Sequence, residues 1–209
     1  PTEVFVMESL TQFQQIVGEN VAQFVQELDE DYLAPALSLL IAANDRGNRI
    51  HITGIGKPSH VAQYGASLMS SIAVPTYFLD GTEAVHGSCG QLRAGDVVIC
   101  ISNSGETMEM RATVTAIANN GCKVIGISRS PDSWLARHAD VHLTVRVDQE
   151  GGPMNRAPIS SVLLENIVLQ ALSVRLQAHY GLTPQEYVRH HPGGTLGRLR
   201  PEEQEAGHG

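Results

Sequence analysis

Apolar residues recur at three- and four-residue spacing from residue 9 to 28, where Leu10, Phe13, Val17, Val21, Phe24, Val25 and Leu28 mark one face of an amphipathic helix capped by Ser9. A second helix is expected after Pro35, carried by Leu37, Leu40 and Ile41 and ending near Gly47. The pattern then changes to short apolar runs at 49–53, 75–79, 97–101, 123–128 and 141–147, too short for helices and read as strands. Val97 to Ile101 is apolar without a break and rich in β-branched residues, which marks a strand buried on both faces. Helical patterns lie between the runs at about 59–72, 108–118 and 133–138, with a loop or short helix at 81–92. After the fifth run a polar loop, residues 148–158, leads into a long helix over 159–179 with Gly181 beyond its end. A short helix at 184–189, a turn-rich stretch and a polar tail at 201–209, expected to be disordered, complete the chain.

Short strands alternating with helices imply βαβ units. The expected fold is therefore α/β: a three-layer αβα sandwich around a five-stranded parallel sheet. One domain is expected, with N-terminal helices over 9–44 and an α/β core over 49–200. Ligands of such sheets sit beyond the carboxyl ends of the strands. Two Gly/Ser turns, at 54–59 and 102–107, fall there.

With 209 residues and 42% hydrophobic content the chain can bury a full core. A formal net charge of -8 argues against nucleic acid or an anionic membrane as partner, because neither gains from an acidic surface. No apolar run approaches the ~20 residues of a membrane span, and the first residues lack a basic-then-apolar leader, so a cytoplasmic location is expected. Cys89, Cys100 and Cys122 are odd in number and far apart, without the paired spacing of a zinc site, and are expected to be reduced.

The turn at 54–59, Gly54-Ile55-Gly56-Lys57-Pro58-Ser59, with Asp80 after the next strand, partly imitates a dinucleotide fingerprint whose acid holds a ribose. Its third glycine is replaced by Ser59, and two glycines also serve a tight strand-to-helix turn with no ligand. The turn at 102–107 carries the stronger signal. Ser102, Asn103, Ser104 and Thr107 surround Gly105, and capping uses only one or two of the four. The surplus donors, at a helix N-terminus with free amides and a positive dipole end, suit an anion such as phosphate.

Taken together, ISNSGE, GIGKPSH, EAVHG, EGGPMNRAP and HHPGGTLGR resemble, in order and spacing, the sugar isomerase (SIS) domain of arabinose 5-phosphate isomerases. The similarity runs from about Ile50 to Arg200. It implies a phosphosugar-binding αβα sandwich and an aldose–ketose isomerase interconverting arabinose 5-phosphate and ribulose 5-phosphate through an enediol. Ser102, Asn103, Ser104 and Thr107 would hold the phosphate, with Gly56, Ser59 and His86 also contacting substrate. Lys57, Glu106, Glu150 and His191 would carry the chemistry. His suits ring opening near neutrality, and a carboxylate lifted by partial burial suits carbon deprotonation. Glu150 is the first choice for that base and Glu106 the second. Lys57 would stabilise enediolate charge or bind substrate oxygens. Proton transfer alone completes such a reaction, so the resemblance implies no metal and no organic cofactor. It also implies a homo-oligomer, dimer or tetramer, with sites near subunit interfaces.

Each residue also has a plainer reading. Glu106 stands at a helix start, where an acid stabilises the dipole. Glu150, in a polar loop, reads from its surroundings alone as a surface carboxylate. His191, before Pro192-Gly193-Gly194, could bond only a backbone carbonyl, and His190 is its adjacent alternative. His60 and His86 occupy motif positions as pocket or packing residues. The chain departs from the family's G-K-S-G-H at Pro58 and Ser59, from its H-G-D at Ser88 and from its P-T-T-S-T at 158–162, and carries Glu165-Asn166 where the family tends to have Gly-Asp. The pair of CBS domains that many relatives carry is not expected. These departures keep a non-catalytic phosphosugar sensor as the alternative, and a nucleotide-binding protein as a more distant one.

Overall fold

The structure, a computed structural model, describes residues 10–205; the expected cap Ser9 and residues 206–209 of the expected tail lie outside them. Helix α1 (Leu10–Glu27) buries Phe24 and lays Val21 against the core. Helix α2 (Glu30–Asp45) begins before Pro35 rather than after it. Asp29 accepts the Tyr32 amide at 2.8 Å and so caps the helix more than a turn earlier. Pro35 is exposed, so the Asp31 carbonyl that loses its intrahelical donor turns to water.

Strands β1 (Ile50–Gly54), β2 (Thr76–Phe78), β3 (Val97–Ile101), β4 (Lys123–Ser128) and β5 (Val141–Thr144) form one sheet of order β2-β1-β3-β4-β5, parallel throughout. Between them run α3 (Lys57–Ser71), α4 (Met108–Asn119) and α5 (Trp134–His138), and after them the long α6 (Ser160–Tyr180). Ile50, Ile52, Val97, Ile99, Ile101, Ile125, Ile127 and Leu143 pack against α1, α2, α3 and α6. The alternate residues Val98, Cys100 and Val124 pack against Met110, Val114 and Ile117 of α4 and Leu135 of α5. Both faces are covered, which is why no polar alternation marks these strands. In α6, Leu164, Val168, Leu169, Leu172 and Leu176 are fully buried, each contributing about 1.5–3 kcal/mol on removal from water.

Some bounds differ from expectation. The apolar run at 141–147 outlasts its ladder: β4 ends at Ser128, which pairs with Thr144, and Val145 and Val147 stay buried beyond it. Residues 81–92 form two single-turn 3₁₀ helices, Glu83–His86 and Ser88–Gln91. The chain after α6 makes α7 (Pro184–His190), opened by a Thr183/Glu186 capping box. Part of the tail expected to be disordered is instead a short helix, α8 (Pro201–Glu205). Cys89, Cys100 and Cys122 are all buried free thiols. Among the described residues no helix is long and apolar enough to cross a membrane.

From β1 the chain moves outward to β2, and from β3 it moves the other way to β4 and β5. The switch point between β1 and β3 opens a crevice at their carboxyl ends. Gly54 pairs with Ile101 there, so the turns 54–59 and 102–107 stand side by side.

Candidate active site

The turn after β3 is braced from the next strand. Ser102 donates its amide to Ile127 O at 3.0 Å, the Asn103 carbonyl accepts from Arg129 N at 2.9 Å and that of Gly105 from Leu135 N at 3.0 Å. Gly105 has φ +66, and a Cβ there would lie 2.4 Å from Ser133 Oγ, so only glycine fits. Ser102, 4% exposed, shares a 3.2 Å hydroxyl contact with Thr107. Ser104 Oγ accepts from the Glu106 amide at 3.2 Å. Helix α4 has no side-chain cap, and its first backbone bond runs from Arg111 N to Thr107 O. The amides of Met108, Glu109 and Met110 therefore point past the helix end, beside two hydroxyls, where an anion is favoured.

Glu106 turns away from this donor set. One carboxylate oxygen accepts the Trp134 amide at 2.7 Å at the start of α5, and the other pairs with Arg111. The Trp134 amide above all, then Arg111, holds the carboxyl below its usual range, which suits a structural anchor better than a base.

Glu150 is buried, at 8% exposure, which corrects the surface carboxylate read from its polar loop. Its Oε2 accepts the Ile159 amide at 2.8 Å and the Ser161 amide at 3.0 Å. It thereby caps α6 from outside the helix, where an anion meets the positive dipole end. Asn155, at φ +49, accepts the Glu150 amide through Oδ1 at 2.6 Å. Asn20 of α1 donates to Gln149 O at 2.8 Å and Ser160 Oγ at 2.9 Å. The carboxylate is thus fixed by the α6 amides, and the loop that carries it by Asn155 and Asn20.

Lys57, exposed, is the first residue of α3. Gly54 admits no Cβ, which would fall 2.6 Å from the Pro58 backbone, and Gly56 turns at φ +68. A groove of about 340 Å³ between α3 and α6 is lined by Lys57, His60 and Tyr64 on one side and by Pro158, Val162 and Asn166 on the other. Pro158 directly precedes the amide that holds Glu150, so the groove that Lys57 lines reaches the segment that fixes this carboxylate. Ser59 Oγ donates to Gly56 O at 2.6 Å, so its proton is committed and only its lone pairs remain for a ligand. His86 is exposed on the 3₁₀ turn after β2, whose Gly81 packs against Ile55 and Gly54. Asp80, the acid of the dinucleotide pattern, caps that turn by accepting the Thr82 and Glu83 amides at 2.9 and 3.0 Å.

His191 is not brought to this region within one chain. Tyr187 and Val188 of α7 share a cleft with Gln177 near the C-terminal end of α6, whereas Glu150 caps the opposite end. At 1.5 Å per residue, α6 separates the two by roughly 25 Å. His191 Nδ1 bonds Tyr187 O at 3.0 Å and its ring stacks on Tyr187 at 4.1 Å, while His190 is exposed. A carbonyl only accepts, so Nδ1 carries the proton and a neutral ring leaves Nε2 bare. Among the described residues no group of three His, Cys, Asp or Glu side chains is placed to hold a metal ion.

Three supports escaped the sequence reading. Ser161 and Asn155 hold Glu150, and Ser128 links Ser133 to His142 at 2.8 Å on each side behind the 102–107 turn. Only the Met154-Asn155-Arg156 stretch carried a signal, since Asn tolerates positive φ better than most residues.

A parallel sheet with two glycine turns at its switch point, the second opening into unpaired helix amides, defines an α/β domain with a crevice suited to an anion. Residues 45–175 match the family model described as SIS domain, and the chain belongs to that family. It is 38% identical to Arabinose 5-phosphate isomerase KdsD of Shigella flexneri over 150 residues, 72% of this chain and 46% of that protein. With the protein of the same name from Pseudomonas aeruginosa it shares 34% identity over 178 residues, 85% of this chain and 53% of that one. The chain spans about half the length of these curated relatives. An Escherichia coli CFT073 protein solved in complex with arabinose 5-phosphate superposes with a TM-score of 0.82 at 29% identity, over 88% of this chain and 95% of that one. A putative sugar-phosphate isomerase from Listeria monocytogenes gives 0.81 at 26% identity, over 88% and 95%.

Proposed function

We propose that the chain is a phosphosugar aldose–ketose isomerase and that its substrates are arabinose 5-phosphate and ribulose 5-phosphate. The observation that carries this is Glu150: a buried carboxylate held by two amides beside a lysine-lined groove. The relatives' names and the neighbour solved with arabinose 5-phosphate support the choice of sugar. The phosphate sits on the α4 amides with the hydroxyls of Ser102, Ser104 and Thr107, Asn103 closing the turn. Gly56 and His86 border the sugar, and Ser59 offers it an acceptor only.

In the open-chain aldose, Glu150 removes the proton from C2, and the C2–H electron pair moves into a C1–C2 double bond as the carbonyl oxygen takes negative charge. Lys57 stabilises that enediolate. Glu150 returns the proton to C1 as the C2 hydroxyl passes its own proton to the C1 oxyanion and the C2 carbonyl forms, leaving the ketose. His191 of a second copy supplies the acid and base for ring opening, because in its own chain it stands at the far end of α6. A dimer or tetramer is therefore part of the proposal.

Solvent exchange tests it. With ribulose 5-phosphate in deuterated water, NMR should show deuterium entering C1. Tight binding without exchange would overturn the proposal and return the non-catalytic sensor, which the changes at Pro58 and Ser88 favour. The nucleotide alternative has lost its acid, since Asp80 is engaged as a cap.

A further inference from the structure

Glu165 is the buried titratable group that the proposed chemistry leaves unused. It is 2% exposed on α6, and its Oε2 is sealed from solvent with no hydrogen-bond partner among the described residues. One helical turn earlier stands Ser161, whose amide holds Glu150 and whose hydroxyl is likewise sealed without a partner. Residues four apart share a helix face. Glu150, Ser161 and Glu165 therefore form a buried column at the start of α6. An ionised carboxylate at its inner end would leave Oε2 with neither water nor a hydrogen-bonded donor, a burial that favours the neutral acid.

We infer that Glu165 keeps its proton in the working protein and, as a neutral acid in this column, is a positioning residue that leaves Glu150 the single negative charge at the α6 N-terminus. The inference rests on Glu150 being the base. Burial first, and then the Glu150 carboxylate, push Glu165 up to about 8. Among the described residues the elements packed against α6 pair no cation with the Glu165 carboxyl. On α1 the nearest polar group to the column is Asn20, which bonds Ser160, while Glu19 and Glu27 bond glutamines of their own helix. On α2, Glu30 pairs with Arg175 near the other end of α6. On α3, Lys57 and His60 face the outer groove with Asn166. Loss of the Glu165 proton would place a second negative charge where enediolate charge develops and so oppose the transition state.

Two measurements on the full chain test this. Carbon-13 NMR of side-chain carboxyls from pH 5 to 10 should show one titrating near pH 8, absent in Glu165→Gln and moved to lower pH in Glu150→Gln. Exchange of ribulose 5-phosphate should fall about tenfold in kcat/KM from pH 7 to 9 in the wild type, as expected for a group that must stay protonated. The limb should vanish in Glu165→Gln; the substrate phosphate, titrating near pH ~6, adds nothing in that window. No carboxyl titrating above pH 6 would overturn the inference, and so would an alkaline limb unchanged by Glu165→Gln. If the wild type exchanges no pentose phosphate at any pH, the proposed function fails instead, and the Glu150→Gln shift in the NMR midpoint alone decides whether Glu165 holds its proton against Glu150.

Discussion

The Ile159 amide donates to Glu150 Oε2 across 2.8 Å, joining the loop that carries the candidate base to the helix behind it. With the Ser161 amide on the same oxygen, one carboxylate caps α6 and stays aimed by it. The helix cap and the candidate base are therefore one side chain, and the two roles can be separated by substitution. Glu150→Ala leaves both amides without a partner and should cost about 1–3 kcal/mol in urea unfolding. Glu150→Gln retains an acceptor oxygen and should unfold closer to wild type. Both variants should slow solvent exchange by ~10²–10⁴-fold, and a Gln variant exchanging at the wild-type rate removes Glu150 from the base role.

Glu106 should behave in the opposite way. Glu106→Gln is expected to exchange within about tenfold of wild type, outside the range for loss of a general base. The Trp134 amide and Arg111 depress its folded-state value below the ordinary 4.5. Its contribution to stability is therefore present above pH 4.5 and lost as pH falls through the lower folded value. Thermal unfolding of the two proteins should differ at pH 7 and converge on acidification; a constant gap would mean the carboxylate charge is not what anchors Trp134.

Gly105→Ala places a methyl group against Ser133 at a positive φ. The strain, of order 1–3 kcal/mol, can be relieved only by moving the turn away from α5. Weaker binding of pentose 5-phosphates by calorimetry, together with a lower unfolding midpoint, is the expected pair of effects. Unchanged binding would separate this turn from the phosphate.

The raised value at Glu165 also predicts how stability varies with pH. The folded protein holds that proton up to about pH 8, whereas the unfolded chain releases it near 4.5. Stability from this group is therefore fullest below pH 4.5 and declines as pH rises toward 8. Glu165→Gln should flatten that decline in urea titrations between pH 5 and 9, and equal slopes would place the charge elsewhere.

His191 stands at the opposite end of α6 from Glu150, so the two can act on one sugar only across a subunit boundary. Mixing inactive Glu150→Gln and His191→Ala proteins, with subunits allowed to exchange, should restore part of the activity. No recovery, in oligomers shown to be mixed, would confine His191 to its own tail.

Much of the fold was legible because its causes are local. Val97 to Ile101 is apolar on both faces and can only be a covered strand, and Ser102 to Thr107 carries more donors than capping consumes. Helix α2 was placed late because Pro35 looked like a start, while the Asp29 cap upstream of it satisfied the first turn. The apolar run through Val147 was too long for its ladder because strand length depends on the neighbour, and β4 stops at Ser128.

The sequence by itself determined the five strands, the two glycine turns and the cluster of hydroxyls at Ser102, Ser104 and Thr107, since each follows from residues adjacent along the chain. Only the tertiary structure decided what surrounds the candidate acids. Glu106 went to Trp134, His191 to the far end of α6, and Glu150 under the amides of Ile159 and Ser161 with Glu165 behind it. Burial and hydrogen-bond partnership are set by groups far apart in sequence, such as Asn20 against Ser160, and no local pattern around Glu150 or Glu165 encodes them.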